Sequence, residues 1–193
     1  KFAQKAEKAG VDAIVAEGFE AGGHNGRDEI TTMCLIPSIV KVVNIPVIAA
    51  GGIATGRTML AAMSLGADAV QIGSRFAISK ESSAHDIFKN QILTAKDGDT
   101  VLTLKELAPV RMLKNEFFQE IKSLYNRSGS KEELVELLGR GRIKKGIFEG
   151  DLVEGNLEIG QISAIINSIN SVAEIINEVI SDYKKAQENL FSF

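Results

Sequence analysis

The chain has 193 residues, 45% of them hydrophobic and 24% charged, a balance that excludes a disordered tail and suffices for a sizeable core. A formal net charge of −3 excludes a general nucleic-acid binder, and one cysteine, Cys34, excludes a disulfide framework or a cysteine-rich metal site. With no apolar run of the ~18–20 residues that span a membrane and no secretory-type leader, the expectation is a cytoplasmic protein without membrane or nucleic-acid partners.

The chain opens at Lys1 rather than methionine, and residues 1–10 read as the end of a helix closed by Gly10. A domain rarely begins at the end of an element, so a truncated chain is expected. Strand-helix units then repeat. Val11 to Ala16 is a short apolar strand, followed by a Gly-rich loop from Gly18 to Gly26 and a helix from about Thr31 to Val43. Ile45 to Ala50 forms the next strand and runs into Gly51-Gly52. Thr55 caps a helix carrying Met59, Leu60, Met63 and Leu65, which Gly66 closes. The third unit is Ala69 to Gly73, a loop at Ser74-Arg75, and a helix from about Ser82 to Ala95.

Strands this uniformly apolar belong to a parallel sheet covered by helices. An open doubly wound sheet would be favoured by G-x-G-x-x-G after a strand, and that motif is missing. Small residues at two successive strand ends, Gly51-Gly52 and Gly73-Ser74, suit instead the phosphate site of a (β/α)₈ TIM barrel. The fold class read here is α/β, the C-terminal part of such a barrel. About 250 residues make a full barrel, so three visible units leave on the order of 150 residues upstream. Three segments are expected: 1–97 as barrel, 98–156 as a small helical lid, and 157–193 as C-terminal helices returning to the barrel. Within the lid, Lys131 to Leu138 reads as one amphipathic helix. In the tail, the apolar stripe breaks before Ser171, which with Glu174 forms a capping box, so two helices are expected.

At Glu17-Gly18-Phe19-Glu20-Ala21-Gly22-Gly23-His24-Asn25-Gly26 the sequence resembles the flavin-dependent nitronate monooxygenases (2-nitropropane dioxygenases) and the closely related enoyl-acyl-carrier-protein reductases II. The likeness continues through Ile45 to Ile53 and Gly66 to Phe76, and returns at Pro109-Val110-Arg111, Lys114-Asn115 and Gly160-Gln161. The resemblance implies an FMN-binding barrel whose sixth, seventh and eighth strands are these. It implies FMN contacts at Gly22, Gly51, Gly52, Gln71, Ile72, Gly73 and Ser74, and at Glu17, where the monooxygenases often carry glutamine and the reductases glutamate. Glycine at Gly51-Gly52 lets backbone amides approach a phosphate, and the following helix is expected to add N–H groups of its first turn.

His24 is the candidate catalytic residue. It follows a strand's C-terminal end, where barrel chemistry sits, and histidine suits proton transfer near neutrality. The activity implied is oxidation of alkyl nitronates by O₂ to a carbonyl compound and nitrite, with His24 as base or orienting group. The alternative is NAD(P)H-dependent reduction of an enoyl thioester, and a third is that this chain alone is a non-catalytic fragment. The resemblance leaves a homodimer open as the assembly. His85 is expected to be structural, Cys34 to be a buried small hydrophobe, and Arg140, Arg142, Lys144 and Lys145 to form either a solvated face or a landing site for an acidic partner.

Overall fold

A computed structural model describes residues 1–190. Three parallel strands form the first sheet: β1 (Ile14–Glu17), β3 (Val47–Ala50) and β4 (Ala69–Gln71), in that spatial order. Ile14 pairs with Val47 and Ile48 with Ala69, so the strands end together at one edge. Helices α1 (Phe2–Lys8), α2 (Thr32–Val40) and α3 (Gly56–Ser64) cover this sheet. Their core joins Ala16, Ile36, Val47, Ala49, Ile53 and Ala62.

Within this sheet β3 alone has a neighbour on both sides, and it is the strand that is buried. β1 and β4 are edges, and Val15 at the middle of β1 is 47% exposed. Edges of this kind present unpaired backbone groups. The three strand-helix units expected from periodicity are therefore present, with β1 starting later, at Ile14, than the expected Val11.

Several local expectations are corrected. Ser74-Arg75 is not a loop but part of a single helical turn, α4 (Ser74–Ala77). The next helix, α5 (Asp86–Leu93), is shorter than Ser82 to Ala95 because His85 caps it: the Ile87 N–H donates to His85 Nδ1 at 3.2 Å. His85 is thus a helix cap, which agrees with its structural reading. Cys34 is exposed, not buried. On α2 the residue that points inward is Ile36, and Cys34 lies two residues away on the solvent side.

The region 98–156 is not purely helical. It opens with a hairpin, β5 (Thr100–Thr103) and β6 (Val110–Leu113), and β6 also pairs antiparallel with a two-residue strand, β2 (Gly23–His24), from the Gly-rich loop. Arg111, buried in mid-strand, interrupts the apolar pattern that would have announced β6. α6 (Glu116–Asn126) follows and buries Phe117, Ile121 and Leu124, the i, i+4, i+7 face of an amphipathic helix. α7 (Lys131–Leu138) matches the expected helix and starts in a capping box of Ser130 and Glu133. A wide π-type turn, Lys144–Phe148, follows.

In the tail, the first expected helix is only a 3₁₀ turn, Gln161–Ile165. The second is α8 (Val172–Leu190), and its capping box is as expected: Ser171 N–H donates to Glu174 Oε2 at 2.7 Å, and Glu174 N–H to Ser171 Oγ at 3.2 Å. α8 packs on the start of α3 at backbone distance. A Cβ on Gly56 would lie 1.9 Å from Tyr183 N and 2.3 Å from Val179 O. Gly56→Ala should therefore destabilise by about 1–3 kcal/mol, the usual cost of overpacking. A lowered urea midpoint is the expected result; an unchanged midpoint would show that α8 does not seat as described. Among the described residues no helix is long and apolar enough to cross a membrane.

Candidate functional site

The common edge where β1, β3 and β4 end is the wall of a cavity of about 320 Å³. Glu17, the last residue of β1, lines it, as do Gly51 and Gly52 beyond β3, Gln71 at the end of β4, then Gly73 and Ser74, with Gly22 closing from the loop. All but one of the residues expected to contact a cofactor thus share one surface. Ile72 is the exception: its side chain packs with the sheet core, leaving only its backbone near the strand ends.

The glycines have separable reasons to be there. Gly51 and Gly52 sit at φ +93° and +70°, where side chains are strained. A Cβ on Gly51 would meet the Gly18 carbonyl oxygen at 2.8 Å. Gly73 has no such constraint, since a Cβ there would meet nothing within 4 Å. Gly22 is required by the tail, because a Cβ would lie 2.4 Å from the Ile159 carbonyl carbon. Among the described residues, neither the Gly52 nor the Gly73 N–H has an acceptor within the chain. Two unsatisfied donors on adjacent strand ends make a receptive anion site.

The first turn of α3 offers fewer N–H groups than expected. Two of its donors are already used: Thr58 N–H donates to Thr55 Oγ1 at 3.2 Å, and Arg57 N–H to Asp182 of α8 at 2.9 Å. Ser74 Oγ accepts the Gly160 N–H at 3.0 Å, which ties the tail to the start of α4 and still leaves the hydroxyl proton to donate.

Three carboxylates line this cavity, Glu17, Glu20 and Glu158, and no Lys or Arg does. Glu20 is committed to the start of α2, accepting Thr32 N–H at 2.9 Å from its Oε2. There a carboxylate complements the helix dipole. Burial pushes the Glu17 carboxyl above the usual carboxylate range, which favours its neutral form beside an anion. Arg111, 2% exposed, donates from Nε and Nη2 to the Phe19 carbonyl at 3.1 and 2.9 Å, and its guanidinium lies 4.5 Å from the Phe19 ring centroid. Burial lowers its pKa, opposed by Glu20 and Glu29. This buried cation braces the Gly-rich loop against β6.

His24 does not line the first cavity. Carried on β2 opposite Val110, it opens on a second, mostly apolar cavity of about 460 Å³ walled by Leu138, Ile143, Phe148 and Arg142. Glu158 lines both cavities and so marks their junction. Sequence reasoning did not single out Glu158, Glu20 or Arg111. For Glu158 a signal existed: a lone charge between Leu157 and Ile159, both nearly fully buried. The basic stretch is largely committed within the chain. Arg142 donates to the Glu154 and Leu137 carbonyls and lies over Phe117, while Lys144 pairs with Glu149 and Lys145 with Glu154.

The profile of the nitronate monooxygenase family matches residues 1–182, nearly the whole chain. The chain belongs to the nitronate monooxygenase family. Within it, the "Probable nitronate monooxygenase" of Staphylococcus aureus (strain Newman) is 45% identical over 124 residues, covering 60% of this chain and 35% of that protein. The structure of FabK from Thermotoga maritima superposes with a TM-score of 0.90 at 41% identity, covering 97% of this chain and 59% of that one. The structure of a nitroalkane oxidase from Streptomyces ansochromogenes gives a TM-score of 0.79 at 29% identity, covering 97% and 56%. This family member therefore spans about a third of the length of the curated relatives it matches and under three fifths of the solved structures.

Proposed function

We propose that this chain supplies the phosphate-binding wall and the proton-handling residue of an FMN-dependent nitronate monooxygenase built on a TIM barrel. The observation that carries the reading is the convergence of two free glycine N–H groups, Gly52 and Gly73, on a cavity at the C-terminal ends of parallel strands. Phosphate sites in barrels occupy that position. FMN fits the donor set: backbone N–H groups and the Ser74 hydroxyl for its phosphate, and Gln71 and Glu17 for polar atoms further along. When bound, FMN supplies the electron transfer and oxygen chemistry that no side chain here can provide.

The chain's own residues do the rest. Gly51 and Gly52 hold the backbone open to the phosphate. Ser74 donates while its oxygen keeps the tail in place through Gly160. His24, at the mouth of the apolar cavity, orients a nitronate anion or takes the α-proton of a neutral nitroalkane. Leu138, Ile143 and Phe148 offer the alkyl substituent an apolar wall.

Enoyl-acyl-carrier-protein reduction is the second reading, favoured by Glu17 and by the close fit to the Thermotoga FabK structure. There His24 would assist protonation of the reduced thioester, and NAD(P)H would be the reductant. An anaerobic comparison on the full-length protein carrying this chain separates them. Flavin bleaching by alkyl nitronate and not by NADH is the expected result. Rapid bleaching by NADH, followed by crotonyl-thioester turnover, would replace the first reading with the second.

A further inference from the structure

Glu158 stands where the two cavities meet, and its placement is more specific than its sequence position suggests. The tail runs antiparallel to β6 at a single bridge, Met112 to Glu158, and β2 pairs with the same edge of β6, the one away from β5, through Gly23 and His24. The Glu158 side chain reaches along that edge to β2: its Oε2 lies 2.9 Å from where a Cβ on Gly23 would be. Gly23, at φ +77°, leaves that space free for the carboxylate. One oxygen is fixed, since Asn156 Nδ2 donates to Oε1 at 2.8 Å. Oε2 has no hydrogen-bond partner among the described residues, and neither does the exposed imidazole of His24, the next residue after Gly23.

We infer that Glu158 is the positioning partner of His24: its free carboxylate oxygen holds the imidazole toward the junction of the two cavities and stabilises it when it carries a proton. This rests on His24 as the proton-handling residue. When His24 takes a proton from the α-carbon of a nitroalkane, the C–H electron pair stays on the substrate as nitronate. The imidazole becomes imidazolium, and Glu158 stays ionised beside it. The two groups are not within ion-pair distance in this structure, and such contacts commonly tighten only with substrate present.

The surroundings suit the role. Other charged groups near Glu158 are Glu17 and Glu20 across the first cavity and Arg142 and Lys144 across the second. Burial pushes the Glu158 carboxyl up, and His24 and the Asn156 amide pull it back toward the ionised form. A carboxylate kept only for fold stability would answer to Asn156 and not to His24.

Two measurements on the full-length protein test the inference. The first is carboxyl-¹³C glutamate NMR, with the Glu158 resonance identified by its loss in Glu158→Gln. In His24→Asn, Glu158 should titrate at higher pH than in wild type, because the neighbouring positive charge is gone. The second is a double-mutant cycle on turnover. Glu158→Gln keeps the size of the side chain and an oxygen to accept from Asn156. It should lower kcat at least roughly ten-fold with KM little changed, less than the roughly 10²–10⁴-fold expected for loss of His24 itself. In the His24→Asn background it should cost nothing further, since partners acting as a unit are not additive. An unmoved Glu158 titration, or additive losses in the cycle, would overturn the pairing. A moved titration in a protein that turns over neither nitroalkane nor enoyl thioester would uphold the pairing and sink the functional reading instead.

Discussion

His24→Asn should slow proton-dependent turnover by roughly 10²–10⁴-fold, the usual contribution of a general acid or base, while flavin content stays nearly intact. The separation follows from geometry. His24 opens on the apolar cavity and takes no part in the wall formed by the strand ends, so its loss removes no phosphate or ring contact. Its side chain is exposed on a two-residue strand whose pairing with β6 is by backbone alone, so Asn should leave the fold in place. Steady-state rates with a neutral nitroalkane and with its preformed nitronate make the role explicit. A loss confined to the neutral substrate marks His24 as the base that removes the α-proton. A loss with both marks it as the group that orients the anion. An unchanged rate with both substrates would remove His24 from the chemistry.

Gly73→Val should cost FMN affinity by two to four orders of magnitude. Each hydrogen bond to a charged group contributes about 1.5–3 kcal/mol, and a branched side chain here denies the phosphate at least two such bonds. The site is well chosen because the substitution is quiet for the protein itself. Gly73 has φ −93°, an ordinary conformation for valine, and a new Cβ meets no atom within 4 Å. Gly52→Val is a blunter instrument. Its φ of +70° is strained for any side chain, and its Cβ would lie against Glu20, the residue that holds the start of α2. Loss of flavin in Gly52→Val therefore mixes strain with occlusion, whereas loss in Gly73→Val with an unchanged unfolding midpoint reports occlusion. Full flavin retention in Gly73→Val would place the phosphate elsewhere.

How much of this was legible beforehand divides along physical lines. The parallel units were readable because β3 and the helices beside it are buried on regular periods, and periodicity survives any uncertainty about ends. The strand-end glycines were readable because two in a row after an apolar strand have few other uses. β2 was not, since two residues paired only by backbone leave no pattern in side chains. β5 and β6 were obscured by Arg111, whose burial is made tolerable by the Phe19 carbonyl 92 positions away, a partner no local window contains. Cys34 was misplaced because apolar neighbours on a helix do not share a face: Ile36 is inside and Met33 and Cys34 are not. The start of α3 was expected to serve a ligand, but its Thr58 and Arg57 N–H groups are taken by Thr55 and by Asp182, which arrives from a helix far along the chain. Glu158 became meaningful only when the tail was seen to run beside β6.

The position of the phosphate in a crystal structure of the full-length protein with FMN tests the central claim most directly. Its oxygens should lie within about 2.7–3.2 Å of the Gly52 and Gly73 backbone nitrogens, beyond the C-terminal ends of β3 and β4. An ordered FMN whose phosphate rests on other residues, with those two N–H groups left unpaired or bound to water, would contradict it.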